Sequence, residues 1–226
     1  MAKSNLAMRA GSCSPQNCAS NAQCNIKTLV GIYKTTYSSI LAETLNWINS
    51  FKNQPKKYAE LVANGARYVG PVVWGKNTIV NANLFKINDP HQYHIATSLK
   101  GAMINSLLGS KIFSTSYTSF EDIYKDVNSL RIKGMGDLFI YDITLRIAYG
   151  KGIYPKKYVY IHRGSKIGLN KLLNRSCGKS KVLTTTIPSP VSQLSAMEIE
   201  DFLCVMKDCI NVNKNGMTNN QNNSHP

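Results

Sequence analysis

The residues best suited to chemistry lie between Lys125 and Lys181. Gly134-Met135-Gly136 stands between Lys133 and Asp137. Two glycines at this spacing let the backbone turn sharply and come close to a partner, and the N–H groups opening the next helix can hold a phosphate oxygen. Lys133 adds charge beside them. Asp142 and Arg146 follow four residues apart on one helical face, which makes them a structural ion pair or, if buried, an ordered carboxylate available for chemistry. In Ile161-His162-Arg163-Gly164-Ser165-Lys166, a side chain that titrates near neutrality sits beside a guanidinium fork and an ammonium. That set suits phosphate contacts, or it is a half-buried histidine with solvated neighbours. Lys156 and Lys157 extend the charge. Tyr141, Tyr149, Tyr154, Tyr158 and Tyr160 are interleaved with it, either as platforms for bases or as core residues with hydroxyls at the surface.

The formal net charge of the chain is +15. From Lys125 to Lys181 there are 13 Lys and Arg against Asp126, Asp137 and Asp142, a net of +10, whereas residues 182 to 226 hold 2 basic and 4 acidic residues, a net of −2. The positive field therefore belongs to one segment. Such a field draws polyanions by releasing counterions from phosphates, and the plainer alternative is a solvated basic face. Cys13, Cys18, Cys24, Cys177, Cys204 and Cys209 form no Cys-x-x-Cys pair, and His91 and His94 have no third ligand nearby in sequence. Neither a metal nor a cofactor is expected, and the cysteines read as free thiols.

Around the two glycines, an amphipathic helix, the tight Ile132-Lys133-Gly134-Met135-Gly136 turn and a second helix follow without spare residues. From Ser119 to Leu173 the chain resembles the helix-hairpin-helix DNA-binding proteins, including the core of the DNA glycosylase superfamily. The resemblance implies nonspecific phosphate gripping, with residues 133 to 137 nearest the nucleic-acid backbone. The departures bear on catalysis. Glycosylases of that superfamily place an aspartate shortly after the helix that follows the hairpin, and lyase-competent members place a lysine two positions past the second glycine. Here those places hold approximately Tyr160 and Leu138, which supply neither a carboxylate base nor an amine. A four-cysteine cluster is also missing. The expected function is noncatalytic binding of nucleic acid, DNA foremost, through Lys133, Gly134, Met135, Gly136, Asp137, Arg146, Lys156, Lys157, Arg163 and Lys166. One alternative is a diverged glycosylase or nuclease, for which Asp142 and His162 are the acid–base candidates. The other is a structural or interaction protein with a basic face.

The elements that must position these residues are mainly helical. The expected architecture is a single-domain helical bundle over 27–210 with a helix-hairpin-helix-like element at 119–173 and little β structure. Three- and four-residue apolar spacing predicts helices over 33–51, 55–63, 91–108, 137–149, 164–173 and 196–210, and one from 120 that ends by 133. Ser119 with Asp122, and Ser195 with Glu198, have capping-box spacing. The interval 69–90 reads as a loop with extended pieces, and 158–162 as a short strand. Residues 1–26 and 211–226 read as disordered tails. No apolar run reaches the roughly 18 residues of a membrane span, and the first residues lack the apolar stretch of a secretory signal, so the expected address is cytoplasmic.

Overall fold

The computed structural model describes residues 25–70, 84–87 and 95–210. The fold is mainly α. The helices are α1 (Ile26–Thr35), α2 (Tyr37–Asn49), α3 (Pro55–Asn64), α4 (Thr97–Gly109), α5 (Phe120–Ser129), α6 (Asp137–Gly150), α7 (Arg163–Leu173) and α8 (Ala196–Val205). Two short antiparallel pairs complete it: β1 (Ala66–Tyr68) with β2 (Phe85–Ile87) after α3, and β3 (Tyr158–Tyr160) with β4 (Lys181–Leu183) around α7. None of the described helices is long and apolar enough to cross a membrane.

Local sequence explains most of the boundaries. Ser119 Oγ accepts from the Asp122 N–H at 3.1 Å and starts α5. Ser195 and Glu198 close a reciprocal capping box at the start of α8. Pro55 opens α3, and Gly65, at φ +67, ends it in backbone that favours glycine.

The expected helix over 33–51 is two helices broken at Thr36 (φ −127, ψ −67). The first begins earlier than expected, at Ile26, because Asn25 accepts from the Thr28 N–H at 2.9 Å, and Leu29, Val30 and Tyr33 form its buried stripe. The expected disordered tail therefore ran into α1 at Ile26, and its remainder up to residue 24 lies outside the described residues. So does the tail at 211–226. The helix expected from His91 begins at Thr97, with His91 and His94 outside the described residues. α5 stops at Ser129, within the expected limit of Lys133, and α8 stops at Val205 rather than 210. Cys177 and Cys204 are free thiols, whereas Cys209 is disulfide-bonded, which corrects the free-thiol expectation for that residue.

The core lies in two apolar clusters. One gathers Leu61, Met103, Leu107, Phe120, Phe139 and Ile140 from α3, α4, α5 and α6. The other gathers Tyr33, Val159, Leu169, Phe202 and Leu203 from α1, β3, α7 and α8. α6 is buried from Phe139 to Ala148 with only Asp142 half-buried, so neighbours cover it on nearly every side. α7 lies close against α8 because Gly168 faces the Leu203 carbonyl and Gly164 faces the Cys204 thiol.

This contact gives a direct test of the packing. A Cβ at position 168 would overlap the Leu203 carbonyl. Gly168→Ala is expected to destabilise the protein by about 1–3 kcal/mol or more through forced separation of α7 from α8. Gly178→Ala, where a Cβ meets nothing within 4 Å, should stay within about 0.5 kcal/mol of the parent. Denaturant unfolding of both variants checks the contrast, and equal stabilities would contradict the packing account.

Candidate nucleic-acid interface

The turn between α5 and α6 is built on one buried anchor and two glycines. The Met135 N–H donates to the Ile132 carbonyl at 3.0 Å, and the Met135 side chain is buried in the first apolar cluster. Gly134 takes φ +100, and a Cβ there would come within 3.1 Å of Leu99 Cδ1, so both backbone conformation and space call for glycine. Gly136 is the N-cap of α6 and brings no side chain to its first-turn N–H groups. Those donors carry the positive end of the helix dipole at the surface. Lys133, Gly134, Gly136 and Asp137 are exposed. The Asp137 carboxylate is held by the Arg131 guanidinium at 2.7 Å.

Beside this turn lies a cleft of about 430 Å³. Tyr124 and Lys125 enter it from α5, Arg131 from the turn, Asp137 from the start of α6, Tyr160 and Lys181 from the strand pair, and His162 from the N-cap of α7. The β3–β4 register sets Tyr160 opposite Lys181 and so delivers a cation across from a ring. The Lys181 ammonium stands 4.4 Å from the centre of the Tyr158 ring, within cation–π range. Rings continue inward: Tyr124 to Tyr160 at 5.2 Å, Tyr160 to Tyr141 at 5.2 Å, and Tyr141 to His162 at 4.9 Å between centroids. Sequence reasoning had grouped neither Lys125 nor Lys181 with the site. The strand that carries Lys181 is only Lys181-Val182-Leu183 and shows no alternation, so local sequence held no signal for it.

His162 is the chemically distinctive residue of the cleft. It is 9% exposed, and burial holds its imidazole down to about 4, with the Asp137 charge pulling weakly the other way. It is the N-cap of α7, and it shares a capping box with Ser165, whose Oγ accepts from the His162 N–H at 2.9 Å. The His162 ring stands on the Ser165 N–H side of that box, an arrangement that favours Nδ1 as the acceptor and the proton of the neutral ring on Nε2. Nε2 is buried and has no hydrogen-bond partner among the described residues. The Tyr141 hydroxyl is likewise buried, with no hydrogen-bond partner among the described residues. Burial, and then the charges of Glu200 and Asp142, keep its proton on.

The other predicted site residues separate into two groups. Lys156 and Lys157 are exposed just before β3, and Arg163 is exposed at the first position of α7, with Lys166 half-buried on the same helix. Arg146, expected to contact phosphate, is instead 5% exposed; its guanidinium donates to the Val62 carbonyl at 2.9 Å and lies 3.8 Å from Asp142. It holds α6 to the end of α3, so the phosphate-contact expectation is corrected. The Met135 side chain is corrected in the same way, from ligand contact to core anchor. Lys151 donates to the Phe113 and Thr115 carbonyls and Lys171 to the Lys207 carbonyl, so part of the segment's positive charge serves the fold.

The expected acid–base pair does not form a coupled unit. The carboxylate whose charge acts on His162 is Asp137, and Asp142 is paired with Arg146. Asp142 also acts on Glu200 of α8. Burial, followed by Asp201 and Asp142, holds the Glu200 carboxyl well above the usual range, against the pull of a Ser165 hydrogen bond. No group of three or more His, Cys, Asp and Glu among the described residues is placed to hold a metal ion. No protein-family model matches the chain, and neither a curated protein nor a solved structure matches it. The functional reading rests on the residues themselves.

The depressed His162 titration has a measurable consequence. Between about pH 6.5 and pH 4 the unfolded chain binds a proton at this residue that the folded protein refuses. The stability this group contributes is thus fully present above pH 6.5 and lost as pH falls toward 4. The loss is on the order of 3 kcal/mol. His162→Gln is expected to flatten the stability-versus-pH curve over that window in denaturant titrations. An unchanged slope would contradict the buried neutral ring.

Proposed function

We propose that this chain binds nucleic acid without transforming it, DNA foremost, and grips the phosphate backbone at the α5–α6 turn and the rim of the adjoining cleft. The observation that carries the reading is the exposed two-glycine turn leading into the uncapped start of α6, beside a cleft edged by Lys125, Arg131 and Lys181. Backbone N–H groups at a helix start bind phosphate oxygens, and lysines around them add attraction at a distance. The Arg131–Asp137 pair neutralises the carboxylate that would otherwise repel an anion at the first turn. Lys133 on the turn and Lys156, Lys157 and Arg163 nearby in the chain extend the positive surface.

A binding role without turnover agrees with the chemistry of the site. A histidine that stays neutral down to about pH 4 is a weak base at physiological pH, and its neighbouring carboxylate is tied to an arginine. The resemblance to helix-hairpin-helix proteins points the same way, since in them the turn positions the backbone and any catalytic group is a separate addition.

The test is a salt series of binding to labelled single-stranded and duplex oligonucleotides. Affinity should fall steeply with salt. Removal of Lys125, Lys133 or Lys181 by substitution with alanine should reduce the log–log slope by about 0.7–0.9 each. Lys52→Ala, an exposed change just after α2, should leave the slope unaltered. A flat salt response, or a slope indifferent to all three cleft and turn lysines, would overturn the proposal.

A further inference from the structure

We infer that the cleft between α5 and the β3–β4 pair is a nucleotide pocket. It receives one nucleoside monophosphate unit, free or as an unpaired residue of a strand, with its phosphate toward Lys125 and Lys181, its base against Tyr124, and a base acceptor on the His162 Nε2–H. The inference deepens the nucleic-acid reading and rests on it for the strand as the source of the nucleotide.

Three observations converge on this ligand. The cleft volume, about 430 Å³, falls within the roughly 300–1,000 Å³ of small-ligand sites. Its lining combines exposed ammonium groups at Lys125 and Lys181 with the rings of Tyr124 and Tyr160, which stand 5.2 Å apart, and with His162. The buried Nε2 donor has no protein acceptor among the described residues. A buried polar atom of this kind destabilises the fold until a partner bonds to it. A neutral imidazole donor matches a carbonyl oxygen or ring nitrogen of a base, the kind of uncharged acceptor that base edges present.

The carboxylates in the cleft limit what can enter. Glu121 and Asp137 also line it, so the positive charge suffices for one phosphate and disfavours a triphosphate. A paired base has its edge occupied by its partner and its faces by its neighbours. Only an unpaired one can offer a face to Tyr124 and an edge to His162 together. The pocket thus selects single-stranded over duplex nucleic acid.

The experiment uses the full chain. Calorimetric titrations compare nucleoside 5′-monophosphates, nucleoside triphosphates and inorganic phosphate, and anisotropy compares single-stranded with duplex oligonucleotides. The expected result is tighter binding of monophosphates than of either phosphate or triphosphates, and of single strands than of duplexes. Tyr124→Ala should weaken nucleotide binding by about tenfold through the lost stacking surface. Lys125→Glu, an exposed change that leaves the core untouched, should weaken it without unfolding the protein.

Inorganic phosphate binding as tightly as the nucleotide, or nucleotide binding indifferent to both variants, would overturn the pocket. Steep salt-dependent binding of oligonucleotides that ignores both variants and strandedness would overturn it while leaving the broader nucleic-acid reading intact. Monophosphate binding without oligonucleotide binding would support the pocket, identify the free nucleotide as its ligand and remove the strand.

Discussion

The arrangement depends on a charge in the interior. Arg146 sits on the most deeply buried helix, where an unpaired guanidinium would be costly. Its contacts with the Val62 carbonyl and Asp142 fix α6 against the end of α3. The Asn49 amide, which donates to the Arg146 carbonyl at 3.3 Å, ties α2 to the same point. With α6 held along its length, its first turn emerges at the surface at one place. That place is where the two-glycine turn, the Arg131–Asp137 pair and the cleft meet.

The cleft depends in turn on α7. Gly168 and Gly164 let α7 approach α8, and β3 and β4 close around it, so His162 is set at the junction of strand and helix. Its ring serves the fold through the Ser165 capping box and packs 4.9 Å from the Tyr141 ring. A buried residue made to do both is a compromise, since Nε2 is left with no hydrogen-bond partner among the described residues. The charges follow the same division of labour. Arg146, Lys151 and Lys171 direct donors to carbonyls of the chain, whereas Lys125, Lys133 and Lys181 are exposed.

Much of the helical order was legible because caps and periodicity agreed. Ser119 with Asp122, Ser195 with Glu198, and Pro55 with Gly65 each bound a helix whose apolar stripe confirms it. α1 was hidden because the polar run before it concealed Asn25 as a cap, and the break at Thr36 carries no proline or glycine to announce it. The turn at 133–137 was legible as a tight connection, because only glycine accommodates the Gly134 backbone. Burial at the site was less legible. Four-residue spacing puts Asp142 and Arg146 on one face without saying that the face is inside. Nor does it reveal that Lys181, distant in sequence from Lys125, crosses to the same cleft through strand register.

The most direct test of the account is an amide hydrogen-exchange footprint of the protein with and without a short single-stranded oligonucleotide at low salt. The account predicts added protection at residues 131–138, around 160–163 and at 181, with α1 to α3 unaffected. Protection confined to α1–α3, or no change anywhere while binding is independently observed, would contradict the placement of the nucleic acid at the turn and cleft.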